Sequence, residues 1–467
     1  MLRSVSVPES QTNLSWDVLL DLSGPDVGPR HERLARALRA AVRDGVLPVG
    51  TALPPSRKLA ADLACSRWLV TQAYAQLVAE GYLEARTGAA TRVLWSPSRE
   101  RPSRPASAAT TTVPRHDLAP GLPDLRAFPR RRWAEALREV LTTAPHTEFG
   151  LPPRGGHPRL RAVLAEYLRR CRGASTTPPD VTVCSGVTEG VTRVCRALAA
   201  AGFTSVAVED PSWGRTRDAV AAAGLTAVPV PVDEDGVRVD RLGGTRAVVV
   251  TPAHQFPTGT VLAPARRAAL VAWARDVDGL VLEDDYDADF RYDRRPVGTV
   301  QGMAPAHVAL FGSVSKTLSP ALGIGWYVLP PTWADAVRAA NPAASTPPVV
   351  DQLALAAFVE RGGYDRHLRA VRSRYRARRD ALVAALATHL PDSRITGVAA
   401  GLHLLLHLGG SPDTGALVRR AAAEGLNLVD LDTYRTEPSG DPTLVLGYGN
   451  LADHAVVPAV ALLASLL

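Results

Sequence analysis

The sequence predicts a two-part α/β protein: a small helical unit with a short β-hairpin, then a large unit with a mainly parallel sheet. Three observations predict it. Residues 1–95 are patterned for helices and end in a strand-like piece. Ser96–Arg115, SPSRERPSRPASAATTTVPR, is rich in Pro, Ser, Arg and Thr and has almost nothing to bury. From His116 onward, helical patterns alternate with short β-branched apolar runs, as in crossover-connected parallel strands. The expected division is therefore 1–95 (core 29–95), a flexible linker over 96–115, and the large unit over 116–467.

Composition narrows the class. A chain of 467 residues that is 46% apolar can fill a sizeable core, which excludes a disordered or fibrous protein. No run of 18 apolar residues exists, and Ala455–Leu467, interrupted by Pro458, reads as a packed helix, so no membrane is expected as a partner. The opening MLRSVSVPES lacks an export pattern. Cys65, Cys171, Cys184 and Cys195 show neither CxxC nor zinc spacing, which predicts a reduced, cytoplasmic protein with no structural metal. A net charge of +7 is modest for this length and does not by itself imply nucleic acid. Lysine usage says more. Lys58 and Lys316 are the only lysines among 53 basic residues. Arginine can supply a cation, but only lysine can shed its proton and attack a carbonyl.

In the first unit, Leu34, Ala37, Leu38 and Ala41 recur at helical spacing within Arg33–Val42. After DGVLPVGTALPP, Ser56 is expected to cap a helix through Leu59, Ala60 and Leu63. A turn at Ala64–Cys65 follows, and Ser66 is expected to cap a second helix with Val70, Ala73, Tyr74 and Leu77 on one face. Two short helices joined by a tight turn form a helix-turn-helix, and GYLEARTGAATRVLW alternates like a two-stranded wing. Arg67, Trp68, Thr71 and Gln72 then lie on the exposed side near the second helix's start, where base edges are read, beside the cap Ser66. Arg57, Lys58, Arg86, Thr87 and Arg92 suit phosphates. A plain helical packing domain with solvated arginines would show the same periodicity.

LPPSRKLAADLACSRWLVTQAYAQLVAEGYLEARTG resembles the winged helix of the GntR superfamily of bacterial transcription regulators, without a gap over roughly Pro29–Trp95. Pro55 stands where that family usually has Ser, and Gly88-Ala89-Ala90-Thr91 replaces Gly-x-Gly-Thr at the wing tip. The resemblance implies a double-stranded DNA operator as partner.

In the second unit three apolar strands each run into a polar constellation, and in a parallel sheet such ends share one edge. Asp180–Cys184 leads into SGVTEG, where the backbone N–H groups of Gly186, Val187 and Thr188 at a helix start can hold a phosphate. Gly279–Leu282 leads into EDDYDADF, and His307–Phe311 into GSVSKTLSP with Lys316. A phosphate cup, a carboxylate and a lysine on one rim are what pyridoxal 5′-phosphate (PLP) requires. A solvated acidic loop or a divalent metal site would also account for EDDYD.

Together with DLAPGLPDLRAFPRRRW (Asp117–Trp133), TPAHQFPTG (Thr251–Gly259) and GGYDRHLRAVRSRY (Gly362–Tyr375), these stretches resemble the fold-type I aminotransferase-like domain of the MocR/GabR/PdxR group of GntR regulators. The resemblance covers nearly all of Asp117–Leu467. It implies that Lys316 forms the Schiff base, Asp284 pairs with the pyridine nitrogen and Tyr286 bonds the phenolic oxygen. It further implies that Trp213 faces the ring, Ser313 and Thr188 join the phosphate site, and Arg215 receives an effector carboxylate. Read alone, Trp213 could equally be core and Arg215 a surface charge. The group's members imply a homodimer whose effector is PLP or a small amino compound.

Departures from the pattern bear on activity. Gly323 takes the place of an arginine that commonly holds the cofactor phosphate, which removes a strong charge-assisted contact. LVLGYGN (Leu444–Asn450) has no arginine for a substrate carboxylate, Phe149 stands for a tyrosine, and Phe256 for the asparagine of true aminotransferases. Three readings compete: a regulator sensing PLP or an amino compound, an active aminotransferase with a DNA-binding appendage, and a cofactor-free DNA-binding scaffold. The missing arginine argues against the second, since transamination needs a precisely held substrate. Retention of Lys316 in an almost lysine-free chain argues against the third.

Overall fold

The computed structural model describes Trp16 and residues 28–86, 89–94, 114–292, 297–410 and 412–467. The chain divides into two compact units, Met1–Thr110 and Thr111–Leu467. Most of the expected linker, 96–113, lies outside the described residues.

In the small unit, helix α1 (Arg30–Arg43) buries Leu34, Ala35, Leu38, Ala41 and Val42, one stripe of a 3.6-residue period. Helix α2 (Ser56–Asp62) follows Pro55, whose φ of −53° is set by its ring; its ψ of 143° makes Pro55 the capping residue. The expectation that Ser56 caps this helix is therefore corrected: Ser56 is the first helical residue and its side chain makes no cap bond. Helix α3 (Arg67–Ala79) is capped as expected, with Ser66 Oγ accepting from the Leu69 N–H at 3.3 Å. It buries Leu69, Val70, Ala73, Tyr74 and Leu77, and Tyr74 donates to the Pro54 carbonyl at 3.0 Å, tying α3 to the loop before α2. Strands β1 (Leu83–Glu84) and β2 (Arg92–Val93) pair antiparallel as the wing.

The large unit opens with β3 (His116–Asp117) and is built on eight strands: β4 (Val181–Cys184), β5 (Ser205–Asp210), β6 (Thr226–Asp233), β7 (Gly236–Val237), β8 (Ala247–Val250), β9 (Leu280–Asp284), β10 (Val308–Ser313) and β11 (Gly325–Val328). Their order is β4-β11-β10-β9-β8-β5-β6-β7, parallel except for β11 and β7. The apolar runs are continuous because both faces are covered. Val206, Val208, Ala247, Val249, Leu280 and Leu282 pack on one side, where helices α4 (Val187–Ala200) and α5 (Gly214–Ala222) lie. Ala207, Val248, Val250 and Val281 pack on the other, against helix α6 (Pro264–Asp276). The chain continues through a 27-residue helix, α7 (Gly363–His389), into a three-stranded antiparallel sheet of β12 (Arg394–Thr396), β13 (His403–His407) and a later strand. That chain segment adds β14 (Leu426–Asn427), paired in parallel with β3, and β15 (Thr443–Gly447), the third strand of the small sheet. Val456–Ser465 is the packed C-terminal helix that the sequence predicts. Among the described residues no helix is long and apolar enough to cross a membrane. All four cysteines are free; Cys184 and Cys195 are buried, and Cys65 and Cys171 only half-buried.

Candidate functional site

A cavity of about 230 Å³ opens at the carboxyl ends of the parallel strands. Each wall follows from a strand end. Asp284 is the last residue of β9, Ser313 the last of β10, and Lys316 comes three residues later. Trp213 and Arg215 follow β5, and Val187 and Thr188 open α4 just beyond β4. Lys316, Asp284, Tyr286, Trp213, Arg215, Val187, Thr188 and Ser313 all line this one cavity. Gly186 caps α4, its carbonyl accepting from the Gly190 N–H at 3.0 Å, and does not itself line the space. At this helix start the first N–H groups lack intrahelical acceptors, which suits an anion.

The electrostatics are those of a dry site. Burial pushes the Asp284 carboxyl up to about 7; Asp285 adds to the rise and Lys316 opposes it. Asp284 Oδ1 is buried and, among the described residues, has no hydrogen-bond partner. Burial also lowers the Lys316 pKa, with Asp284 and Asp287 acting against the fall. The Lys316 amine donates to the Gly121 carbonyl at 2.5 Å and lies 5.8 Å from the Trp213 ring centroid. Asp285, next to Asp284, faces away and is held by Arg172 in a buried two-pronged pair at 2.7 and 2.8 Å. Trp213 is half-buried, with Phe256 edge-on at 5.3 Å and Tyr434 stacked at 5.9 Å. Arg215 is exposed at the cavity wall. Gly323 lies outside the lining at φ +56°, with nothing within 4 Å of where a Cβ would be. An orphaned buried carboxyl oxygen, a half-buried amine and an anion-ready helix start fit the donor set that PLP requires.

Sequence reasoning missed several lining groups. Glu209, at the end of β5, accepts from the Thr251 N–H and hydroxyl and from Gln255, all on Oε2, and burial raises it to about 7. Its place at the end of an apolar strand run, four residues before Trp213, was the available signal. Gly121 and His403 carry no local signal, since each reaches the cavity from a distant part of the chain.

In the small unit the expected DNA-facing residues that the structure describes are exposed. Arg57, Lys58, Ser66, Arg67, Trp68, Thr71, Gln72, Arg86 and Arg92 are exposed; Thr87 lies outside the described residues. Trp68 is 62% exposed, a large value for an aromatic side chain, and among the described residues its ring meets the His31 ring edge-on at 5.6 Å. Thr71 bonds back to the Arg67 carbonyl at 2.9 Å, Arg86 pairs with Glu84, and Arg92 donates to the Gly50 carbonyl. Arg57 and Lys58 stand at the start of α2.

Two family descriptions match the chain: bacterial regulatory proteins of the gntR family over residues 30–93, and aminotransferase class I and II over residues 118–440. A probable rhizopine catabolism regulatory protein MocR of Rhizobium meliloti is 33% identical over 447 residues, spanning 91% of this chain and 90% of that protein. An HTH-type pyridoxine biosynthesis transcriptional regulator PdxR of Corynebacterium glutamicum is 31% identical over 423 residues, spanning 90% and 91%. Among solved structures, an archaeal alanine:glyoxylate aminotransferase matches with a TM-score of 0.69 and 25% identity, covering 75% of this chain and 90% of that one.

Proposed function

This chain belongs to the MocR/PdxR-type branch of gntR-family bacterial regulators, and we propose that it is a DNA-binding transcription regulator whose aminotransferase-like domain senses PLP, or an amino compound through PLP. One observation carries the sensing half: a half-buried lysine amine and an orphaned buried carboxyl oxygen share one cavity. When bound, PLP supplies an aldehyde and an electron-withdrawing pyridinium ring.

The chain's own groups have distinct tasks in this reading. Lys316, with its pKa lowered by burial, is the amine that meets the aldehyde. Asp284 holds a proton at the ring nitrogen, which would give Oδ1 the partner it lacks. Val187, Thr188 and Ser313 receive the phosphate, Trp213 covers a ring face, and Tyr286 donates to the phenolic oxygen, while Gly186, set outside the cavity lining, serves as the cap of α4. Arg215 takes the carboxylate of an effector. With no arginine at 323 or in 444–450, the site is better suited to holding a ligand than to turning it over.

DNA is read by α3, with Arg67, Trp68, Thr71 and Gln72 toward base edges and Arg57, Lys58, Arg86 and Thr87 toward phosphates. The division at 1–95, 96–115 and 116–467 puts reading and sensing on separate parts of a cytoplasmic homodimer that binds paired half-sites. Ligand binding regulates only through different affinity for two domain arrangements. The MocR and PdxR relatives, named for rhizopine catabolism and pyridoxine biosynthesis, support a small amino compound or a B6 vitamer as the signal.

The test is borohydride reduction of the full chain with PLP, followed by peptide mapping. A pyridoxyl group on Lys316 is expected. No adduct at any PLP concentration would leave only the DNA-binding half of this reading standing.

A further inference from the structure

Tyr286 and His403 of the cavity wall belong to a polar cluster from three distant segments, completed behind the wall by His254 and Asp287. His254 and Asp287 are 2% and 1% exposed at their side chains. His254 Nδ1 lies 2.9 Å from Asp287 Oδ2 and 3.1 Å from the Tyr286 hydroxyl. The backbone makes room for the pair at Gly401. There φ is +67°, and a Cβ would lie 2.1 Å from His254 Cε1 and 2.6 Å from Asp287 Oδ2. Two tyrosine hydroxyls hold that backbone, Tyr292 and Tyr448 donating to the Gly401 carbonyl at 2.6 and 2.8 Å.

Proton placement follows from the donor inventory. A ring nitrogen offers one in-plane site, either a hydrogen or a lone pair. Beside a carboxylate, which only accepts, His254 Nδ1 carries the hydrogen. The Tyr286 oxygen then faces an N–H, so the imidazole cannot take the phenol's proton. Two acceptors are then open to that proton, the neighbouring Asp287 carboxylate and a ligand atom in the cavity, which Tyr286 lines; the more firmly His254 engages Asp287, the more the proton turns outward.

We propose that His254 and Asp287 are positioning residues that make Tyr286 an outward hydrogen-bond donor, and so set the ionisation of a phenolic ligand oxygen in the cavity. The proposal rests on the PLP reading above. Burial, with Asp287 and Asp284 beside it, holds the Tyr286 pKa well above its ordinary value, so the phenol keeps its proton. The other ionisable groups around this cluster are Glu209, Lys316 and His403. His403 is kept neutral by burial, donates from Nε2 to the Pro257 carbonyl at 3.1 Å, and lies 5.0 Å from the His254 ring.

Asp287→Asn is the test, because it keeps shape and removes charge. The amide can present N–H to Nδ1, which flips the imidazole tautomer and draws the phenol's proton inward. The readout is the pH midpoint of the visible band of the PLP-loaded full chain. A hydrogen bond donated to the ligand's phenolic oxygen stabilises its deprotonated form, so losing that donor raises the midpoint. For Asp287→Asn a rise of about 1 unit is expected, the scale of one hydrogen bond to a charged group. Tyr286→Phe should rise similarly, and adding Asp287→Asn to it should move the midpoint no further. The proposal is overturned if Asp287→Asn leaves or lowers the midpoint, as it would if the phenol gave its proton to Asp287. It is also overturned if the double variant shifts additively. Borohydride mapping of Lys316 separates this from failure of the cofactor reading: an adduct with an unmoved midpoint removes the dyad's role alone, and no adduct removes both.

Discussion

Replacing Asp284 by asparagine should make the cofactor-free protein more stable while stripping it of its ligand. Burial raises this carboxyl from 3.8 to about 7. Because the folded-state value lies above the unfolded one, the folded chain holds the extra proton between those limits. Its contribution is fully present below the unfolded value, declines as pH rises through the window, and is flat above about 7. At pH 8 the group is ionised in both states, and the displacement costs the fold about 4 kcal/mol at ~1.4 kcal/mol per pH unit. Asparagine does not titrate, so a gain of about 2–4 kcal/mol is expected at pH 8 and little at pH 4. The assay is urea unfolding of wild type and variant, without PLP, at several pH values. Glu209 and Glu283 are also raised to about 7, so wild type keeps a slope from them, and the difference between the two chains isolates Asp284. PLP at 100 times its Kd should stabilise wild type by about 2.7 kcal/mol, closing most or all of that gap, and leave the variant unmoved. Parallel pH profiles for the two chains would refute the desolvation argument.

Arg172→Leu leaves Asp285 buried without its two-pronged partner and should cost about 3–5 kcal/mol, read as a fall in the urea midpoint. Arg67→Ala should weaken operator binding by about 1–3 kcal/mol in a mobility-shift titration and leave the PLP absorbance unchanged. If the absorbance collapsed as well, the division of tasks between the two units would be wrong. Ser66→Ala removes the α3 cap and should cost about 1 kcal/mol in the unfolding of the small unit, measured by circular dichroism.

The parts legible in the sequence were those with local pattern. The buried stripe of α3 and its Ser66 cap follow from a 3.6-residue period beside a serine. The concurrence of Asp284 and Lys316 follows from apolar β-branched runs that end in polar residues, because parallel strands bring their carboxyl ends to one edge. Ser56 misled because serine is a common cap, yet proline one position earlier already supplies the extended conformation that a cap needs. The antiparallel insertion of β11 between β4 and β10 was not legible, since GWYV is equally apolar in either direction. Nor was the His254–Asp287–His403 cluster, whose members are separated by tens of residues and meet only through tertiary packing.

The segment that carries Gly121 is fastened on both sides of it. Upstream, Leu118 pairs through its N–H to Asn427 and through its carbonyl to the Gly447 N–H; downstream, Asp124 is gripped by Arg378 at 2.8 Å. Between these anchors the Lys316 amine is the midpoint tie, and the chain departs toward the 96–115 stretch only a few residues before Leu118. A carbonyl that loses a charged donor forfeits about 1.5–3 kcal/mol. Occupying the amine would therefore loosen the strap by an amount equal to roughly a 10- to 150-fold bias in any equilibrium coupled to it. A response steeper than that would need a second lever elsewhere in the molecule.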